Sequence, residues 1–323
     1  MTRASILIAI AVAGCGRVTA APDDPPSWSI DHATHAGALL GVWGTGPDDV
    51  WAVGGEPAHA LVVHGDGTTW TGVGVNAGGI LFSVYGFART DVYAVGEAGL
   101  ILHYDGAAWS RIDSGTTQPL FGLWGASGDD VWIVGGDTTG SAGSAVVLRG
   151  NAHGFAPVQG IPAELMPNAL FKVHGFAADN VMMVGNNGVV RWTAGAWSRD
   201  AVPTAAPLFS TWGRSASDYF AVGGFAAGEI LHSDGAHWTQ MFELQTGVGL
   251  SGVFATEGEP AIAVGANAHV FEIDGASAIA EAVLPDLGAA TLLHAVWGDG
   301  AGTTYVAGSD YPLATTGVIL RRQ

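Results

Sequence analysis

From residue 27 onward, apolar and polar positions alternate in short runs broken by Gly, Asp and Asn, which reads as short strands joined by tight turns. Residues 81 to 112 show the unit most cleanly. Leu81 to Gly86 alternates as a strand, Ala88 to Asp91 turns, Val92 to Val95 is a second strand, and Gly96 to Gly99 turns again. Leu100 to Tyr104 and Trp109 to Ile112 complete it around Asp105-Gly106, a hairpin signal because Gly tolerates the positive φ of a tight primed turn. The unit then repeats. An aromatic or His residue, usually before Gly, stands eight residues ahead of an apolar residue that opens a V-G or V-A-G segment. The leading positions are Trp43, Tyr85, Trp124, His174, Trp212, Phe254 and Trp297; the matching ones are Trp51, Tyr93, Trp132, Met182, Phe220, Ile262 and Tyr305. Ala255 replaces the Gly in the sixth unit.

Four short antiparallel strands per repeat of roughly 40 residues make the blade of a β-propeller, so the pattern predicts an all-β, seven-bladed β-propeller. Fourth strands carry Trp70, Trp109, Trp197 and Trp238, plates suited to packing between neighbouring blades. The ends give a second test of closure. The last repeat stops after Val318 to Leu320, its third strand, whereas Ser27-Trp28-Ser29-Ile30 reads like the fourth strands at Trp109 and Trp197 yet precedes the first repeat. The N-terminal strand is therefore expected to complete blade seven, leaving no open edge.

Residues 1–14 read as a signal peptide, with Arg3 as a short positive region and Ile6 to Ala13 as an apolar core too short to span a bilayer. The single cysteine, Cys15, ends Val12-Ala13-Gly14-Cys15, which resembles a lipobox; the resemblance implies a diacylated Cys15 anchoring the chain. An ordinary secretory peptide cut after Val18-Thr19-Ala20 is the alternative. Residues 15–26, with Pro22, Pro25 and Pro26, read as an extended tether to a domain of residues 27–323. Gly16 after the cysteine favours, by analogy, the outer membrane of a Gram-negative bacterium, and one lysine against ten arginines agrees with a high-GC genome.

Composition changes the picture only by exclusion. With 48% hydrophobic residues, 50 Gly and 12 Trp, disorder is excluded. A net charge of −18 without a basic cluster argues against nucleic acid and against anionic lipid headgroups. The "WG…DVWAVG…DG..W" blades resemble the bacterial propeller superfamily of WD40-like, YVTN and BNR/Asp-box repeats. The Asp-box pattern is met only in part: His64-Gly65-Asp66-Gly67-Thr68-Thr69-Trp70 lacks the Ser and sets Trp four residues after Asp. The resemblance implies a fold and no activity.

Catalytic signatures are not assembled. The three converging arginines of a sialidase are missing: Arg89 and Arg214 are placed between first and second strands, Arg149 and Arg191 on or after third strands, Arg111 and Arg199 on outer strands, and Arg321 and Arg322 at the terminus. There is no G-x-S-x-G, H-E-x-x-H or C-x-x-C, and no calcium loop. His64, His103 and His232 share one third-strand position and read as a repeat feature. Asp48-Asp49, Asp91, Asp129-Asp130 and Asp218, with Asn180 in the same place, precede second strands, where a carboxylate is expected to cap backbone N–H groups.

Loop lengths point to one face. The turn between strands one and two has one length throughout, whereas the link between strands two and three stretches in blade three, Gly135 to Ala145, and in blades one, five and seven. The link from blade three to blade four, Phe155 to Ala169, is long as well. These loops emerge together, with a rim of Glu56, Glu97, Asp137, Asn186, Asn187, Phe225, Asn267, Asp310 and Tyr311. The expectation is a monomeric, non-enzymatic envelope lipoprotein, without cofactor or metal, presenting a polar, acidic loop face to a protein, peptide or glycan. A glycosidase or lyase acting in the central funnel is the alternative.

Overall fold

The computed structural model describes residues 27–323 other than 142, 187, 275–277, 283, 288–290 and 311–312. The expected signal peptide, tether and Cys15, and the rim residues Asn187 and Tyr311, lie outside the described residues.

Seven four-stranded antiparallel sheets stand in a ring. In blade two the strands are Leu81–Ala88, Asp91–Gly96, Ile101–Tyr104 and Trp109–Ile112, in consecutive order from the axis outward. The two recurrent positions are direct cross-strand partners in every blade, from Trp43↔Trp51 through His174↔Met182 to Trp297↔Tyr305. That pairing is why the eight-residue spacing repeats: it fixes the register of strand one on strand two.

Both glycines of the repeat answer to close approach. The Gly that follows the leading aromatic receives the ring of the preceding blade: a Cβ on Gly86 would come within 2.8 Å of Trp43, one on Gly175 within 2.8 Å of Trp124, and one on Gly44 within 2.9 Å of Trp297. The last of these joins blade seven to blade one. The Gly ending the V-G segment lies against the backbone at the start of strand one; a Cβ on Gly54, Gly96, Gly135, Gly185, Gly223 or Gly265 would run into a main-chain carbonyl oxygen there. Outer-strand tryptophans close the gaps. Trp109 meets Trp51 edge-on at 5.4 Å, Trp197 meets Trp132 at 6.1 Å, and Trp70 reaches Tyr305 of blade seven at 6.1 Å.

Closure follows the expected strand. Trp28–Thr34 is the fourth strand of blade seven, with Trp28 opposite Arg322 and Ile30 opposite Leu320. Trp28 is buried, in the slot that Trp109 fills in blade two. The Trp70 Nε1–H donates to Asp31 Oδ2 at 2.7 Å, so blade one is tied to the closing strand.

The turn chemistry differs from expectation in two places. In blades one, two and five the hairpins between strands three and four are four-residue loops rather than two-residue primed turns, whereas blade four closes on the two-residue turn Ala194-Gly195 with positive φ at both residues. Asp66 N–H donates to the Thr69 carbonyl, and Asp66 Oδ1 accepts from the N–H groups of Thr68 and Thr69. Asp105 and Asp234 do the same, and these hydrogen bonds hold all three carboxyls below the usual carboxylate range. The aspartates ahead of strand two instead pair across the blade with the third strand: His64 Nε2 lies 2.7 Å from Asp49, His103 2.8 Å from Asp91, and His232 2.8 Å from Asp218. Arg149 takes the same place opposite Asp130. Their role is side-chain crosslinking, because the imidazole or guanidinium reaches the carboxylate before any turn N–H does.

Candidate functional site

The seven innermost strands are Ala38–Gly46, Leu81–Ala88, Leu120–Ser127, Leu170–Ala177, Leu208–Ser215, Leu250–Phe254 and Thr291–Gly298. Each skips one residue in its pairing with strand two, at Leu40, Phe82, Phe121, Phe171, Phe209, Ser251 and His294. A residue bulged out of the ladder is free to project where its blade needs it. All seven project into the channel and form one ring.

Four successive phenylalanines make the ring aromatic over half its circumference. Phe82 and Phe121 have centroids 5.3 Å apart, Phe121 and Phe171 5.4 Å, and Phe171 and Phe209 5.1 Å. Phe209 continues to Phe225, 4.8 Å away on the loop between strands two and three of blade five, and Phe225 is 77% exposed. An exposed phenylalanine set edge-to-face against a half-buried aromatic arc is an apolar surface presented to a partner. Above the ring the channel opens into a mouth of about 670 Å³, walled also by Gly249, Leu250, Asn267 and Leu292. Below it lies a chamber of about 110 Å³ that Lys172 reaches.

Titratable groups are few here. Burial holds the Lys172 amine down to about 8 and the His294 imidazole down to about 4. His294 Nε2 lies 2.9 Å from Ser309 Oγ. His174, in the leading aromatic slot of blade four, is packed between Trp124 and Trp212, and burial, with a smaller contribution from Lys172, pulls it to about 3. Both histidines are therefore neutral in the folded chain near pH 6, while in the unfolded chain they titrate near 6.5. As pH falls from 6.5 towards 4 the unfolded state holds up to two protons that the folded state does not, so stability falls, by about 2 kcal/mol per pH unit. Denaturant midpoints measured at pH 6.5 and pH 5 check this; equal midpoints would contradict neutral buried imidazoles.

The expected rim separates into two groups. Phe225 and Asn267 stand at the mouth, Asn267 Nδ2–H donating to the Gly247 carbonyl at 2.9 Å. The others are engaged within their own loop or with the adjoining link between blades. Glu97 accepts from the Ile80 N–H, Asp137 from Thr139, and Asp310 from the N–H groups of Thr315 and Thr316. Glu56 pairs with exposed His59, and Asn186 Nδ2–H donates to Asn168 Oδ1. In blade one the extra residues lengthen the hairpin to the pair Glu56↔His59 instead of forming a loop. The long loops of blade three do meet: Gly143 N–H donates to Met166 O and Ala145 N–H to Pro167 O. The centre of this face is thus apolar where a polar, acidic surface was expected.

The arginines are dispersed, as the sequence indicates, although Arg214 lies on the inner strand itself and Arg321 and Arg322 on the third strand of blade seven. Among the described residues no three His, Cys, Asp or Glu side chains gather as metal ligands. The ring phenylalanines, Leu40, Lys172 and His294 were missed by sequence reasoning. A signal existed: the doublet Leu-Phe recurs at 81–82, 120–121, 170–171 and 208–209, three residues ahead of the leading aromatic position, and two adjacent apolar residues break strand alternation where a bulge sits.

No protein-family model matches the chain, and no curated protein matches it. Solved structures do match over nearly the whole length. YCF48 bound to D1 peptide superposes with a TM-score of 0.67 at 16% identity, covering 92% of this chain and 97% of that one. Virginiamycin B lyase from Staphylococcus aureus gives 0.69 at 13%, covering 91% and 99%. The WD40 β-propeller domain of Doa1 gives 0.70 at 10%, covering 91% and 97%. At such identities the likeness is one of fold.

Proposed function

We propose that the protein is a non-enzymatic binding propeller that takes an apolar segment of a peptide or protein into the mouth of its channel. The observation that carries the reading is the arc from half-buried Phe82 to exposed Phe225, lining the mouth of the channel. Buried aromatic anchors are what protein-recognition sites use for most of their affinity. A propeller of the same fold, YCF48, has been solved with a peptide bound, which is in keeping with the reading. Binding is favoured over glycosidase or lyase chemistry because the described lining of mouth and chamber offers one lysine and one buried histidine but no carboxylate to act as their acid or base partner. Placement at a Gram-negative outer membrane through a lipid on Cys15 belongs to the same reading, and fatty-acid labelling that is lost in Cys15→Ser is its measure.

The test is a set of labelled peptides with aromatic and aliphatic residues, titrated by fluorescence anisotropy against the wild type and against Phe121→Ala and Phe171→Ala. Each substitution is expected to weaken binding about tenfold. Asp91→Ala, on the opposite face, is expected to leave affinity in the folded fraction unchanged. If the aromatic substitutions bind normally while Asp91→Ala does not, the wrong face has been assigned.

A further inference from the structure

Immediately after each bulged residue of the inner strands comes a position that lies against the inner strand of the next blade. Six blades fill it with Gly41, Ser83, Gly122, Ser210, Gly252 and Ala295. The reason is crowding: a Cβ on Gly122 would come within 2.9 Å of the Lys172 Cα, and one on Gly252 within 3.2 Å of the Ala295 Cα. The fourth blade breaks the rule with Lys172, the only lysine of the chain. A long cationic side chain thus stands alone in a ring of small residues, lining the chamber beneath the aromatic mouth.

Charge makes the position more telling. The chain carries −18 overall, yet no Asp or Glu is among the described residues that line the mouth or the chamber. A desolvated ammonium without a carboxylate is costly, and the depressed proton affinity of Lys172 records that cost. A ligand anion arriving there would offset it with a charge-assisted hydrogen bond in a poorly solvated space. The acidic surface outside is screened over roughly 8 Å at physiological salt, so it does not cancel a contact made inside the channel.

We infer that the segment taken up by the mouth is a chain end: a C-terminal apolar residue lies against the phenylalanine arc while its free α-carboxylate passes the ring and pairs with the Lys172 ammonium. This rests on the mouth being the binding site, and it narrows the ligand to peptides with a free carboxyl terminus. Body and anion are read by different parts of one channel. An internal apolar segment, or an amidated end, satisfies only the first.

The experiment compares N-terminally labelled tetrapeptides ending in Phe, Leu or Trp, each as free acid and as C-terminal amide, by anisotropy at pH 7. The acid is expected to bind at least tenfold tighter to the wild type. In Lys172→Met, checked for its fold by circular dichroism, the two forms are expected to bind alike, at the affinity of the amide. A second reading needs no variant: between pH 7 and pH 9.5 the wild-type preference for the acid should collapse as Lys172 gives up its proton. Equal affinity of acid and amide for the wild type, or a preference that survives in Lys172→Met, overturns the inference and leaves the mouth intact as a site for internal segments. Failure of every peptide, acid and amide, to bind folded wild type overturns the inference and the mouth reading together.

Discussion

Deleting residues 27–34 is expected to destabilise the ring by about 5 kcal/mol, or roughly 10 °C in Tm for a domain of this size. The deletion removes Trp28 from a buried slot and six cross-strand pairs with the last strand. A buried Trp side chain is worth about 3 kcal/mol on removal, and sheet pairs a few tenths to one each. It also strips the Trp70 indole of its Asp31 acceptor, so the loss reaches blade one. What remains is an uncovered edge at Val318, Ile319 and Leu320, a template for pairing with a second chain. Thermal unfolding with light scattering reads both effects. A truncated protein that melts like the full domain and stays monomeric would mean that blade seven is held without its fourth strand.

Gly96→Val is the second large change. The Val95-Gly96 step ends strand two of blade two beside the Ile80 carbonyl, and any Cβ at Gly96 falls on that oxygen. Neither backbone can retreat, because Leu81 is paired with Gly96 on one side and Gly96 N–H donates to Leu100 O on the other. Overpacking of this kind, against main chain and not a flexible side chain, is expected to cost about 3 kcal/mol or more. Gly72→Ala is the control: nothing lies within 4 Å of its Cβ site, and stability should change by less than about 0.5 kcal/mol. Denaturant midpoints settle the comparison, and a Gly96→Val protein as stable as Gly72→Ala would remove close approach as the reason for the repeated glycine.

The ring of blades was legible because its signals are periodic. A residue such as Trp132 recurs at a fixed distance from Trp124 in every repeat since the two are cross-strand partners, and Trp28 betrays itself by belonging to a fourth strand while standing first. The mouth was not legible for a reason equally physical. Phe121 is in register with nothing, and a bulge leaves no mark in a count of alternating residues beyond one extra apolar position. Polarity misled in the opposite direction. Asp137 and Asp310 look free in sequence, but short loops turn their carboxylates back on their own N–H groups. Asp91 was read as a turn cap because its partner, His103, is remote in sequence and adjacent only across the blade.

The bulge in each inner strand also separates two kinds of inheritance. Residues inside the ladder answer to their neighbours, so a change at Trp124 or Gly96 is a change to the scaffold. Residues at Leu40, Phe82, Phe121, Phe171, Phe209, Ser251 and His294 have no backbone pair in the ladder, though the His294 imidazole meets Ser309, and they already differ from aliphatic through aromatic to hydroxyl and imidazole within one chain. Duplicated copies of such a gene would therefore diverge in taste before they diverge in shape. A library randomised at these seven codons alone would explore new ligands on an unchanged wheel.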